Sequence, residues 1–148
     1  MNMYSRFGVM IGTSTIVMYL LMYLNTYQMD HVFFSETRVY MALIMGAAMA
    51  VIMLTYMRGM YTNRRVNAGI YAASLIVFAL ALWLVRSQAT VDQVSYMKAM
   101  IPHHSIAILT SERAQISDPR VRELADTIIQ TQREEIAEMK ALIEDLER

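Results

Sequence analysis

VYMALIMGAAMAVIMLTYM, residues 39–57, runs through a whole helix length without a single charged side chain. At 1.5 Å of rise per residue such a helix is about 28 Å long, close to the ~30 Å hydrocarbon core of a bilayer. A buried helix of a water-soluble domain carries a polar stripe, and this stretch has none. Residues 7–24 and 66–85 have the same character. Tyr4, Tyr23, Tyr27, Tyr40, Tyr56, Tyr61 and Trp83 stand near the ends of the three windows, where aromatic side chains settle at the headgroup level. Three membrane-spanning helices are therefore expected over residues 1–86. Arg6 is the sole base ahead of the first window, and no small-x-small cleavage site precedes Asn25, so the first window is read as a retained span rather than a signal peptide.

The charge distribution agrees. Residues 1–86 hold two acids, Asp30 and Glu36, against six arginines, a net of +4. Residues 87–148 hold eleven acids against seven bases, a net of −4. The neutral total averages an apolar, basic anchor with an acidic, wet appendage. Between the second and third windows lie Arg58, Arg64 and Arg65 with no acid, whereas the first connection holds Asp30 and Glu36. The positive-inside rule puts the arginine loop and the N-terminus in the cytoplasm. Residues 87–148 are then periplasmic or extracellular, and the chain is a multi-pass protein of the inner or plasma membrane.

Within residues 39–57, Met41, Met45, Met49, Met53 and Met57 recur at every fourth position. Ala42, Gly46 and Ala50 repeat beside them. Spacing of small residues lets helix backbones approach and methionine fills irregular gaps, so a helix interface is the preferred reading over a thioether ladder for a soft metal.

The second half reads as an antiparallel helical hairpin. Asp92 is placed to cap a helix reaching about Ile116, and Ser117-Asp118-Pro119 stops it and starts the next, with proline at the first helical position. Val121, Leu124, Ala125, Ile128, Gln132, Ile136, Met139, Leu142, Ile143 and Leu146 form one expected buried face of the second helix. Glu134, Glu135, Glu138, Glu144 and Asp145 are assigned to its solvated face. Pro102 removes a backbone donor and is expected to kink the first helix near residues 98–100.

That region holds the only adjacent histidine pair. At about 100° per residue, Met97, Met100 and His104 fall within about 60° of one another, with His103 just beyond. Met139 lies about as far after the turn as Met97 lies before it. Imidazole with several thioethers and no carboxylate on that face is a donor set for a soft metal, Cu(I) or Ag(I). The competing reading is that the methionines are core filler. With no cysteine among 148 residues, disulfides and thiolate chemistry are excluded. No assembled nucleophile or acid–base pair is legible, so no enzymatic activity is expected.

Met100-Ile101-Pro102-His103-His104, Ala107-Ile108, Asp118-Pro119-Arg120-Val121, Leu124-Ala125, Ile128-Ile129, Gln132, Glu135-Ile136 and Met139 together resemble the family called domain of unknown function 305, over about residues 92–146. The resemblance implies half of a ferritin-like four-helix bundle, an exported location, and copper, as Cu(I) or Cu(II), held by His103, His104, Met97, Met100 and Met139. The chain departs from the family where further methionines commonly follow the histidine pair, since Ile106 and Thr110 stand there. It also has one hairpin where the family commonly has two. A second copy in a homodimer, or another membrane subunit, is expected to complete the bundle. Membrane lipid is the other expected partner, and no nucleic acid is.

Two functions follow as expectations: a membrane-anchored, non-catalytic copper-binding protein in metal buffering or tolerance, or a structural accessory subunit that docks through the hairpin. Met29-Asp30-His31, in the first connection, is read as an ordinary polar turn ahead of interfacial Phe33 and Phe34. Docking on the hairpin, or supplying it with a ligand, is the alternative.

Overall fold

A computed structural model of the chain describes residues 2–148. Among them are five α-helices, one 3-10 turn and no strand. The helices are α1 (Met3–Leu21), α2 (Glu36–Tyr56), α3 (Arg64–Ser87), α4 (Gln93–Arg113) and α5 (Pro119–Leu146), and the turn is Met29–His31. The all-α class is as expected. Two helices, α2 and α3, are long and apolar enough to cross a membrane. α1 does not join them on length and composition. It begins with Arg6 in its opening turns and carries Gly12-Thr13-Ser14-Thr15 at its centre, and it stops at Leu21 rather than reaching Leu24.

The chain divides into two compact units, neither contiguous. The first comprises Met1–Met22 and Thr37–Thr90; the second comprises Tyr23–Glu36 and Val91–Arg148. The first connection thus belongs with the hairpin.

In the first unit the small residues of α2 face inward. Ala42, Gly46, Ala47 and Ala50 are all buried. A Cβ added to Gly46 would stand 2.2 Å from Thr15 Oγ1, so α1 and α2 approach at a point that only glycine fits. The interface reading of the repeat is the observed one. Met41 is exposed, while Met53 and Met57 pack against Phe7, Ala50, Leu54 and Tyr61. At one end of this unit Tyr4 Oη accepts the Asn63 N–H at 3.0 Å and donates to Asn67 Oδ1 at 2.9 Å. This fixes the start of α1 beside the α2–α3 connection.

In the second unit the local signals hold. Asp92 caps α4 by accepting Ser95 N–H at 2.7 Å, and Asp118 caps α5 ahead of Pro119. α4 ends at Arg113, three residues earlier than expected, and continues through the fully buried Pro102 as one helix. The two helices share a core of Met97, Ile101, Ile108, Ile136 and Ile143, with Val94, Ile129 and Met139 against it. The buried stripe of α5 is narrower than its sequence implies. Ala125, Ile136 and Ile143 are buried, but Val121, Leu124, Leu142 and Leu146 are 45–60% exposed. Two helices bury one stripe each, and a residue one position off that stripe stays in solvent.

Candidate functional site: the Met/His face of the hairpin

Four positions over about three helical turns define the inner face of α4: Met97, Ile101, His104 and Ile108, spaced 4, 3 and 4 residues apart. Their regular spacing places His104 on the core side among apolar neighbours. The proposed ligands do not all share its surroundings. Met97 is 8% exposed and lies in the core, with Met139 packed against the same cluster. Met100 is half-buried, and His103 is exposed with its ring 6.1 Å from that of His104.

His104 is the unusual member. Its side chain is 15% exposed, and Nδ1 is buried without a hydrogen bond although Glu135 Oε2 is 3.0 Å away. Gln132, the polar exception on α5, donates from Nε2 to the same oxygen at 3.3 Å. The expectation of no carboxylate on this face is therefore corrected: Glu135 is half-buried and turned toward the imidazole. Burial pushes the His104 pKa down, the Glu135 carboxylate opposes that shift, and His103 adds to it. Among the described residues, no three His, Asp or Glu side chains group as a metal-holding set.

The polar-turn reading of residues 29–31 is also corrected. The segment docks on the hairpin. Ser105, 0% exposed, accepts the Tyr27 N–H on Oγ at 2.8 Å and shares a 2.9 Å hydrogen bond with His31 Nδ1. His31 is itself buried, and Tyr27 and Phe33 pack against the hairpin core. Asp30 pairs with Lys140 of α5 at 2.6 Å, which holds its carboxyl below the usual range. Burial, reinforced by Lys140, lowers the His31 pKa, and Asp30 works against that. Asp30 Oδ1 is 3.9 Å from His31 Nε2, so a Ser–His–Asp set exists by proximity. Ser105 is fully buried, and both contacts of its Oγ go to the 23–36 segment. The set is a clamp that holds the loop.

Met29 is 88% exposed and takes no part in the Met/His face. Docking of this segment is the alternative reading of the sequence, but its Ser105 partnership spans 74 and 78 residues and is not legible locally. The one available signal was a histidine and an acid together in a segment otherwise poor in both.

Over 112 residues the chain is 33% identical to a protein of Acanthamoeba polyphaga mimivirus named Uncharacterized protein L153, an alignment covering 72% of this chain and 69% of that one. No solved structure matches the chain. The matching family pattern spans residues 85–148, the whole of α4 and α5. By these matches the chain belongs to the family described as Domain of unknown function (DUF305).

Proposed function

We propose that the protein is a membrane-anchored, non-catalytic soft-metal-binding protein, taking copper as Cu(I) on the hairpin in metal buffering or tolerance. One observation carries this reading: the largely buried His104 imidazole with the Glu135 carboxylate 3.0 Å from its Nδ1, beside the thioethers of the same face. A metal-bound imidazole usually has its other ring nitrogen steadied by a carboxylate. His104, with Met100 one turn away and His103 beside it, would hold the ion. Met97 and Met139 supply thioethers from the core side. Copper would bring a soft Lewis-acid centre, and these residues suit it better than zinc, which recruits cysteine or direct carboxylate ligands.

The anchor is proposed to have three spans. The hydrogen bonds from Tyr4 to Asn63 and Asn67 put the start of α1 at the α2–α3 connection. The end of α1 leads into Tyr23–Glu36, which groups with the hairpin. The same bonds, with the close approach of Thr15 to Gly46, run α1 alongside α2 and support a third span. The arginine-rich connection then faces the cytoplasm, and the hairpin faces outward.

Cu(I) competition titration of the detergent-solubilised chain tests the metal reading. Wild type is expected to bind at least ~10-fold more tightly than His104→Ala, and Glu135→Gln is expected to lose a smaller but measurable part of that affinity. Equal, weak affinities for all three would sink it. The exposed Val121, Leu124, Leu142 and Leu146 favour a second reading, an accessory subunit that covers this α5 face with a partner. Purification in mild detergent followed by mass spectrometry decides it: a stoichiometric foreign chain supports docking, and a lone chain or plain homodimer counts against it.

A further inference from the structure

The end of the first unit that carries the α2–α3 connection contains a cavity of about 460 Å³ lined by Arg6, Phe7, Met10, Met57, Met60 and Tyr61. The Tyr4 hydrogen bonds bring Arg58, Arg64 and Arg65 to this same end. All four arginines are exposed. Residues 1–22 and 37–90 contain no aspartate or glutamate, so nothing within the unit neutralises them.

We propose that this cavity is a binding site for one anionic phospholipid, with Arg6 on the phosphate and the methionine-lined wall against the upper acyl chains. The proposal rests on α1–α3 lying in a membrane. A guanidinium matches phosphate oxygens in a two-pronged geometry that an ammonium cannot copy. Arginines at the membrane edge draw anionic lipid. Thioether side chains are unbranched and adaptable, and they fit a mobile hydrocarbon chain better than rigid branched residues do. The thioethers alone could also attract a soft cation. Arg6 in the wall, with no carboxylate to offset it, repels one.

Native mass spectrometry of the full chain in neutral detergent, titrated with phosphatidylglycerol or phosphatidylcholine of the same acyl chains, tests the site. Phosphatidylglycerol is expected to bind about tenfold more tightly. Arg6→Gln removes that preference, while Arg86→Gln, in the last turn of α3, keeps it. Should Arg6→Gln misfold, Met10→Trp fills the cavity and weakens phosphatidylglycerol binding with every arginine in place. Equal binding of the two lipids by wild type, or a preference unchanged in both variants, overturns the site. Competition by glycerol 3-phosphate as effective as the lipid overturns the lipid assignment in favour of a free phosphate. Shifts of the Met10, Met57 and Met60 methyl resonances on adding Ag(I) overturn it in favour of a metal. Flotation with phosphatidylcholine vesicles is the separate check on the membrane reading: a chain that does not float refutes that premise instead.

Discussion

Replacing Ser105 with alanine should release the 23–36 segment from the hairpin. Ser105 Oγ is fully buried and serves two groups, the Tyr27 N–H at 2.8 Å and His31 Nδ1 at 2.9 Å. Alanine fills most of the volume but leaves both groups without a partner. A buried polar group stranded in this way costs about 1–3 kcal/mol. His31 is 6% exposed and bears the full penalty, whereas half-buried Tyr27 regains part of its loss from water. The sum is about 2–4 kcal/mol, and 3 kcal/mol corresponds to roughly a hundredfold more frequent opening.

Hydrogen exchange with mass spectrometry on peptides covering residues 23–36 reads that opening directly. Protection should fall about a hundredfold, with far smaller changes in α2 and α3. Lys140→Ala is the control: its pair with Asp30 has partners 32% and 64% exposed, so breaking it costs at most ~1 kcal/mol. A double-mutant cycle of Ser105→Ala with His31→Phe should be non-additive, because the two changes remove the same bond. A smaller change in protection for Ser105→Ala than for Lys140→Ala would refute the clamp. Packing of Tyr27 and Phe33 would then hold the loop without the clamp.

Three further outcomes are expected. His31 and His104 both titrate below the ordinary 6.5, so the unfolded chain takes up their protons first; the second unit is most stable above about pH 7, loses stability as pH falls through 6.5 toward the folded-state values, and then levels off. Melting midpoints measured between about pH 8 and pH 5 check this, and a rise on acidification would refute it. Gly46→Ala drives a methyl group into Thr15 and should cost about 1–3 kcal/mol, read as a lower melting midpoint in detergent and largely recovered in Gly46→Ala/Thr15→Ala. Met97→Leu keeps the core volume and should change hairpin stability by less than about 1.5 kcal/mol while weakening Cu(I) binding, whereas Met97→Ala should cost about 2–5 kcal/mol; equal Cu(I) affinity in wild type and Met97→Leu would remove Met97 from the ligand set.

What could be read from the sequence was local chemistry. Asp92 and Asp118-Pro119 act on amides two or three residues away, so their caps were legible without tertiary knowledge. The same holds for α2 and α3, whose apolar length is a property of composition alone. α1 is the marginal case, because Arg6 and its polar centre dilute the apolar signal. The outer edge of α5 was misjudged for a different reason. A periodic apolar face specifies which side turns inward, but its buried width depends on how many neighbours cover it, and here one helix and a short loop do. Glu135 was grouped with the solvated acids because it lies one position from the Gln132–Ile136 stripe; only the rotation of α5 against α4 decides that it meets His104.

That meeting bears on which chemistry the hairpin can offer. Burial disfavours the imidazolium form of His104, and a neutral imidazole carries one proton. With a carboxylate oxygen 3.0 Å from Nδ1, the tautomer protonated on Nδ1 is favoured, since the other would set a lone pair against a negative oxygen. Gln132, donating to the same oxygen at 3.3 Å, holds the carboxylate in place. Nε2 is then left as a bare lone pair, and the carboxylate behind the ring raises its basicity. Such a nitrogen is a ready metal ligand at neutral pH, where an ordinary surface histidine divides its population among forms. On the proposed reading, Glu135 therefore acts through His104 rather than on the ion. The donors meeting the metal stay imidazole and thioether, and the site keeps its preference for a soft cation despite the carboxylate within it.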